Sequence, residues 1–357
     1  MRHRFLAPIS ALAVVIAVLS LVTVPMAGQA PPAAAKAKTT AADKTWTPPR
    51  TADGQPDLSG IWSHNSATPL ERPKELAGRQ FLTDEEVATL KKNAGELFGD
   101  DAGDAAFGNV FVGALTSTKY QARDGVGNYN QFWLVNRDFD NRTSLIVDPA
   151  DGKIPPLTPE AQKRQAAAAE RRRLHPADGP EDLPGGLRCI FGMVPMLGAG
   201  YNSYYRIAQS AGYVAINLEM MHDTRIIPLA GRPHVPQNIR QWLGDSRGHW
   251  EGNTLVVDTT NFVEQGDQGG GFRAGSGNSH VIERFTRVAP DTLKYEVTVD
   301  DPTTYTKPWT AALYWKGTTD LVYEFACHEG NYAAPNALSG ARAQEKAAEE
   351  AAKKGSR

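Results

Sequence analysis

Three short segments of this 357-residue chain place a histidine beside or close to a carboxylate: Met221–Asp223, His280–Glu283 and His328–Glu329. A neutral imidazole with a carboxylate is a common metal-ligand set and equally a general acid–base set. The spacing matches no dedicated metal motif such as H-E-x-x-H, so any metal stays unknown. Histidines that only satisfy local hydrogen bonds are the alternative. The candidate catalytic residues are His222, Asp223, His280, Glu283 and His328.

Charged and aromatic residues in apolar segments are candidates for ligand contacts. Glu219, Arg225 and Arg284 fall inside or beside otherwise apolar runs, where a charge must be paired or face a polar cavity. The two guanidinium groups could hold an anionic ligand, and salt bridges inside the fold are the alternative. Tryptophans line pockets as well as cores. The candidate ligand-binding residues are Arg225, Arg284 and Trp250.

The segment Gly244–Gly248 reads G-D-S-R-G and matches the G-x-S-x-G pattern of a nucleophile elbow. That elbow requires a strand before the serine and a helix directly after it. Here His249–Asn253 and then a strand-like run follow, so the required helix is missing. We therefore expect a turn into a β-hairpin rather than a nucleophilic Ser246.

Composition and missing motifs limit the partners and cofactors. The chain has 38 Lys and Arg residues against 40 Asp and Glu residues, without the long basic stripe that nucleic-acid binding needs. It also lacks a G-x-G-x-x-G fingerprint that opens a helix, a Walker loop, a C-x-x-C pair and a C-x-x-C-H haem site. We expect a small-molecule ligand and no nucleic acid. A nucleotide cofactor or an attached haem is not expected, and whether the protein uses another cofactor is unknown from the sequence.

The N-terminal residues predict export. Met1–Arg4 is basic, Ala11–Val24 is almost wholly apolar, and Gly28–Ala30 offers small residues for cleavage. We therefore expect a signal peptide over 1–30 and a periplasmic or secreted protein. A membrane-spanning helix is the alternative, although the apolar run is shorter than the ~20 residues that a span needs. No later stretch is long enough to cross a membrane. Residues 31–50 predict a disordered linker.

Cys189 and Cys327 are the two cysteines of the chain. In an oxidising compartment, an even pair that is distant in sequence usually forms one disulfide. Two buried free thiols, or one reactive thiol, are the alternatives. We expect the disulfide.

The pattern of the chain predicts a mainly β fold with peripheral α-helices. From about Tyr204 to Phe325 the apolar period approaches two, as is typical of strands. Thr83 and Glu86 form a capping box that predicts one helix, Thr158 with Pro159 predicts a second, and an alanine-rich third begins near Asn336. The predicted strands are Tyr204–Gln209, Tyr213–Glu219, Arg225–Leu229, Thr254–Thr260, Val281–Arg287, Thr292–Val299, Thr310–Trp315, Leu321–Ala326 and an earlier Ser144–Asp148.

These elements predict a single β-rich domain over 51–335, with helical insertions in its first half, and a helical tail over 336–357. Short antiparallel runs joined by tight turns indicate a meander. We expect the meander to close as a lipocalin- or calycin-like barrel, since closure removes exposed sheet edges.

Three blocks of the chain resemble a widespread family of exported bacterial proteins that has no assigned activity. They are Asp53–Trp62 (DGQPDLSGIW), Gly244–Gly252 with Thr254–Asp258 (GDSRGHWEG, TLVVD), and Ala326–Tyr332 (ACHEGNY). The likeness covers nearly all of the chain after the leader and implies no catalytic roles. Gly60–Trp62 also resembles the G-x-W start of lipocalin-type barrels.

The function expected from the sequence is a barrel that binds a small, largely apolar molecule, since barrels of about eight strands leave room for one such ligand. The first alternative is a hydrolase, lyase or isomerase that uses the histidine–acid pairs at the barrel mouth, with or without a divalent metal. A structural protein of the cell envelope is the second.

Overall fold

A computed structural model describes residues 46–64, 66–97, 139–190, 194–197, 202–264 and 276–355, and only the backbone of 94–97. All belong to one compact unit, Ala35–Arg357. The predicted signal peptide and residues 31–45 of the predicted linker lie outside the described residues. Contacts with the domain begin within that linker, because the backbone N–H of Asp57 donates to the Pro49 carbonyl at 2.8 Å. In the described part of the chain, no helix is both long and apolar enough to cross a membrane.

The fold is built on one antiparallel sheet of ten strands, which confirms the mainly β fold class. The short first strand is the segment that resembles a G-x-W start. The strands are β1 Gly60–Ser63, β2 Ile146–Asp148, β3 Tyr204–Ser210, β4 Tyr213–Leu218, β5 Thr224–Pro228, β6 Asp245–Glu251, β7 Thr254–Thr260, β8 His280–Ala289, β9 Thr292–Asp300 and β10 Trp309–Thr318.

The hydrogen-bonded sheet is not closed into the predicted barrel. Its order is β5-β4-β3-β1-β10-β9-β8-β7-β6, with β2 beside β10, so β5 and β6 form its two ends. These end strands still meet through side chains. A Cβ added to Gly248 of β6 would lie 2.9 Å from Cγ2 of Ile227 on β5. We call this boundary between β5 and β6 the seam.

Two local predictions are wrong. The segment expected to turn at Gly244–Gly248 forms strand β6, because Ser246, Gly248 and Trp250 alternate inward while β6 pairs with β7 along its length. The predicted strand Leu321–Ala326 is irregular, and its Leu321 side chain is 65% exposed. The strand before it, β10, is already paired on both sides by β1 and β9, so the chain leaves the sheet there.

The inward side chains of the sheet form the core. On β9, Leu293, Tyr295, Val297 and Val299 are fully buried, as the predicted alternation requires. The centre of the core is aromatic: Trp315 stacks on Tyr205 at 4.5 Å and on Tyr295 at 4.9 Å between ring centroids. The interior of the sheet is therefore filled by side chains at this level.

Three α-helices of the described chain lie outside the sheet: α1 Asp84–Leu97, α2 Pro159–Leu174 and α3 Ala333–Gly355. The predicted capping box is confirmed, since Thr83 Oγ1 accepts from the Glu86 N–H at 3.2 Å and Glu86 Oε2 accepts from the Thr83 N–H at 2.8 Å. The α2 cap is confirmed as well, with Thr158 Oγ1 accepting from the Ala161 N–H at 3.1 Å. Short 3-10 turns occur at Lys74–Leu76, Pro180–Asp182, Gly185–Arg188 and Met220–His222.

The predicted disulfide is confirmed: Cys189 and Cys327 are bonded, with their Cα atoms 5.7 Å apart. It attaches the irregular segment after β10 to the 3-10 turn at Gly185–Arg188. Asn331 adds to this attachment by donating to the Leu187 carbonyl at 3.1 Å. The crosslink spans 138 residues, and closing a loop of that size in the unfolded chain contributes about 4–5 kcal/mol in the chain-entropy model.

Candidate functional site

A buried ion pair lies inside the sheet, next to the seam. Arg225 points inward from β5 and Glu283 points inward from β8, with side chains that are 2% and 0% exposed. Arg225 Nη1 donates to Glu283 Oε1 at 3.0 Å, and Nη2 donates to Oε2 at 2.5 Å. This two-bond geometry is the strongest that a guanidinium and a carboxylate make. The pair therefore joins one end strand to a strand near the other end of the sheet.

Hydroxyl groups complete the polar cluster around this pair. Arg225 Nη2 also donates to Ser246 Oγ at 3.1 Å, and Ser246 Oγ lies 3.0 Å from Thr259 Oγ1. Tyr295 donates to Glu283 Oε1 at 2.9 Å. The Ser246 hydroxyl group therefore contacts Arg225 and Thr259. The element that follows β6 is strand β7 and not a helix. The expectation that Ser246 is not a nucleophile rests on this missing helix, since a nucleophile elbow needs a helix directly after the serine.

The electrostatics of the cluster keep its groups in defined protonation states. Burial opposes the charge on Arg225, but the Glu283 carboxylate outweighs it and raises the pKa of Arg225. Burial, and then the charge of Glu283, raise the pKa of Tyr295 well above its ordinary value. Tyr295 therefore remains a hydrogen-bond donor, and Arg225 remains a cation.

A cavity of about 470 Å³ opens at the seam, against this cluster. We call it the seam cavity. Arg225 and Ser246 border it, so the buried ion pair supports one of its walls. The Cys189 half of the disulfide borders it as well. Its lining residues are Cys189, Ile190, Asp223, Thr224, Arg225, Ile226, Gln241, Trp242, Leu243, Gly244, Asp245 and Ser246.

The predicted pair His280 and Glu283 is divided between the two faces of the sheet. Residues three apart on a strand point to opposite faces, so Glu283 faces the core while His280 faces outward. His280 Nε2 lies 2.9 Å from Asp258 Oδ2 instead. Arg284, next to Glu283, also faces outward and pairs with Glu251 at 2.7 Å. Arg225 and Arg284 therefore lie on opposite faces, each beside a carboxylate.

The other predicted residues are spread over several elements. Asp223 borders the seam cavity, where burial raises the pKa of its carboxyl group and the neighbouring His222 opposes that rise. His328 is exposed, one residue after the disulfide cysteine Cys327. Trp250 points inward from β6 and packs against the core. Of the candidates from the sequence, Asp223 and Arg225 are the two that line the seam cavity.

Sequence reasoning missed His234, which links two carboxylates on the outer face. Its Nδ1 lies 2.9 Å from Asp245 Oδ2, and its Nε2 lies 3.1 Å from Asp258 Oδ1. Arg247 Nη1 donates to the other oxygen of Asp245 at 2.6 Å. These contacts attach the long loop 229–244 to β6 and β7. The partners lie 11 and 24 residues from His234, so a search for acids adjacent in sequence does not find them.

Across the described ranges, no group of three or more His, Cys, Asp or Glu residues is arranged to hold a metal ion. In the cluster around His234, the carboxylates are instead occupied by imidazole and guanidinium groups. The described residues form a cavity, and a buried ion pair supports one of its walls.

No protein-family model matches the chain. No curated protein matches it by sequence. Among solved structures, a secretary abundant heat soluble (SAHS) protein from Ramazzottius varieornatus is similar over 32% of this chain and 70% of its own, at 11% identity and a TM-score of 0.21.

Proposed function

We propose that the protein binds a small, neutral molecule of mixed polarity in the seam cavity. This proposal rests on the position of a cavity of about 470 Å³, which lies where the two end strands of the sheet meet without backbone pairing. Pockets of this size suit one small ligand. The sheet acts as an incompletely closed barrel, with the ligand at its opening and not in its filled centre.

The lining of the seam cavity supports a ligand with an apolar body and hydrogen-bonding groups. Ile226, Trp242 and Leu243 supply apolar surface, with Trp242 being 42% exposed. Thr224 and Gln241 supply donors and acceptors. The charge of Arg225 is matched by Glu283, so this guanidinium does not demand an anion. The largely apolar ligand expected from the sequence is thereby refined to a neutral one that makes hydrogen bonds.

An extracytoplasmic location is part of the proposal. Its support is the disulfide Cys189–Cys327, since disulfides persist in oxidising compartments. The same disulfide borders the seam cavity, so the crosslink and the ligand pocket share a wall.

The test is binding of 2-naphthol, which has an apolar body and one hydroxyl group, measured by ligand-observed NMR. Naphthalene and 2-naphthoate are the apolar and anionic comparisons. We expect 2-naphthol to bind best. Ile226→Trp, a change at a 58% exposed side chain of the cavity, should weaken binding at least tenfold by filling the space. Leu174→Trp, at a comparably exposed residue of α2, is the matched control.

Equal binding of 2-naphthol to the wild type and to Ile226→Trp contradicts the proposal. So does a lack of binding, or a preference for 2-naphthoate. Stronger binding of naphthalene than of 2-naphthol would indicate a largely apolar ligand, as expected from the sequence. A Trp242→Phe variant identifies the contact directly, because the quenching of tryptophan fluorescence by the ligand should diminish in it.

A further inference from the structure

A second cavity, of about 360 Å³, shares no lining residue with the seam cavity. It lies where β3 begins, where β4 ends and where the chain leaves β10. We call it the Glu219 cavity. Its charged side chains are both carboxylates. Its lining residues are Asn202, Tyr204, Glu219, Thr319, Asp320, Leu321 and Tyr323.

The carboxylate of Glu219 is the unusual group in this cavity. Glu219 is only 2% exposed. Its Oε1 accepts from the Tyr323 N–H at 3.2 Å, but its Oε2 is buried and has no hydrogen-bond partner. A buried carboxylate oxygen without a partner is costly for a protein. Such a group is stable when a donor or a cation that is not part of the chain occupies the cavity.

The remaining lining residues favour a cation. Asp320 places a second carboxylate in the cavity and accepts from the Tyr204 hydroxyl at 3.2 Å. Burial, and then Asp320, raise the pKa of Tyr204 to about 12, so this phenol stays neutral. Aromatic faces attract cations as well, and Tyr204 and Tyr323 both line the cavity. Leu321 adds apolar surface beside them.

We propose that the Glu219 cavity binds a small organic cation, a protonated amine with a compact apolar body. The ammonium group lies beside the carboxylates of Glu219 and Asp320, and the body lies against Tyr204, Tyr323 and Leu321. A bare metal ion fits less well, because the lining supplies two carboxylates and, within the described chain, no group of three metal-binding side chains occurs. Burial raises the pKa of Glu219, opposed by hydrogen bonds from the backbone of Tyr323 and Tyr204 and from the side chain of Asn202. A bound cation stabilises the ionised carboxylate against that effect.

The experiment compares three probes of one shape by ligand-observed NMR on the full chain: benzylamine as the cation, benzyl alcohol as the neutral isostere and benzoate as the anion. We expect benzylamine to bind at least tenfold more tightly than benzyl alcohol. Benzoate should not compete with it. Glu219→Gln removes the charge and keeps the shape, and should weaken benzylamine binding at least tenfold. Glu324→Gln, at an exposed carboxylate outside the cavity, is the matched control.

A second variant covers the case in which Glu219→Gln does not fold. Thr319 lines the cavity and is exposed, so Thr319→Lys should fold and place its own ammonium group near the carboxylates. It should abolish benzylamine binding. The proposal is overturned if benzyl alcohol binds as well as benzylamine, if Glu219→Gln or Thr319→Lys folds and binds as the wild type does, or if no probe binds. Calcium ions that bind where benzylamine does not would assign the cavity to a metal instead.

Discussion

Arg225 and Glu283 form a two-bond ion pair across the inside of the sheet, from the strand at one end, β5, to the third strand from the other end, β8. No backbone hydrogen bond of the sheet makes that connection, because the hydrogen-bonded order runs the long way round. Side-chain chemistry thus joins the two ends of the sheet that the backbone leaves apart. The seam cavity lies against this pair.

We expect Glu283→Gln to lower the free energy of unfolding by about 3–5 kcal/mol, because it leaves Arg225 as a buried, uncompensated cation. The double variant Arg225→Met, Glu283→Leu should lose less than either single variant, since neither charge remains. Urea unfolding measures both. A double variant as unstable as the sum of the single ones would show that the two side chains act independently.

Gly248 leaves room for side chains that cross the seam. A Cβ at this residue would lie 2.7 Å from Leu229 Cδ2 and 2.9 Å from Ile227 Cγ2, so these two side chains must shift in Gly248→Ala. We expect a loss of about 1–3 kcal/mol. Adding Leu229→Ala should restore part of it. Gly340→Ala, where nothing lies within 4 Å of the added Cβ, should not destabilise the protein. Equal thermal stability of Gly248→Ala and the wild type would contradict the contact.

His234 should hold the loop 229–244 against β6 and β7. His234→Phe removes both ring contacts, with Asp245 and Asp258, so we expect trypsin to cleave after Arg240 several times faster. His249→Phe is the control, because His249 makes an exposed contact with Glu251 on the same face. An unchanged cleavage rate would mean that Asn261, which donates to the Val235 carbonyl at 2.9 Å, suffices to fix the loop.

We expect the stability of the protein to depend on pH through the carboxyl group of Asp301. Although burial opposes its charge, hydrogen bonds from Thr303, Ser276 and Thr304 hold the pKa of Asp301 below its ordinary value of 3.8. A lowered folded-state pKa contributes stability above the ordinary pKa, and that contribution disappears as the pH falls through the folded-state pKa. Asp301→Asn should therefore cost about 1–3 kcal/mol at neutral pH, and less as the pH falls below 3.8.

The control for this prediction is Asp300→Asn, a partly exposed neighbour on the last residue of β9. Denaturant unfolding at several pH values gives both curves. A constant difference between Asp301→Asn and the wild type down to the acid limit would show that geometry, and not the charge of Asp301, stabilises the loop.

Local sequence chemistry was sufficient for most elements of the fold. The alternation on β9 and the caps at Thr83 and Thr158 depend on near neighbours in the chain, so they can be read directly. The pairing of Cys189 with Cys327 followed from there being two cysteines in the chain. Strand β6 was missed because G-D-S-R-G has turn composition, and its pairing with β7 outweighs that local preference.

The sites were decided by tertiary structure. The sequence placed Glu219, Arg225 and Arg284 inside or beside apolar strands and required each charge to be paired or to face a cavity. Only the fold decided that Arg225 meets Glu283, 58 residues away, and that one oxygen of Glu219 has no partner. His280 was separated from Glu283 by the alternation of one strand. The physical reason is one of range: caps and alternation act within a few residues. Partners across a sheet are instead selected by strand order and register, which depend on the packing of the whole core.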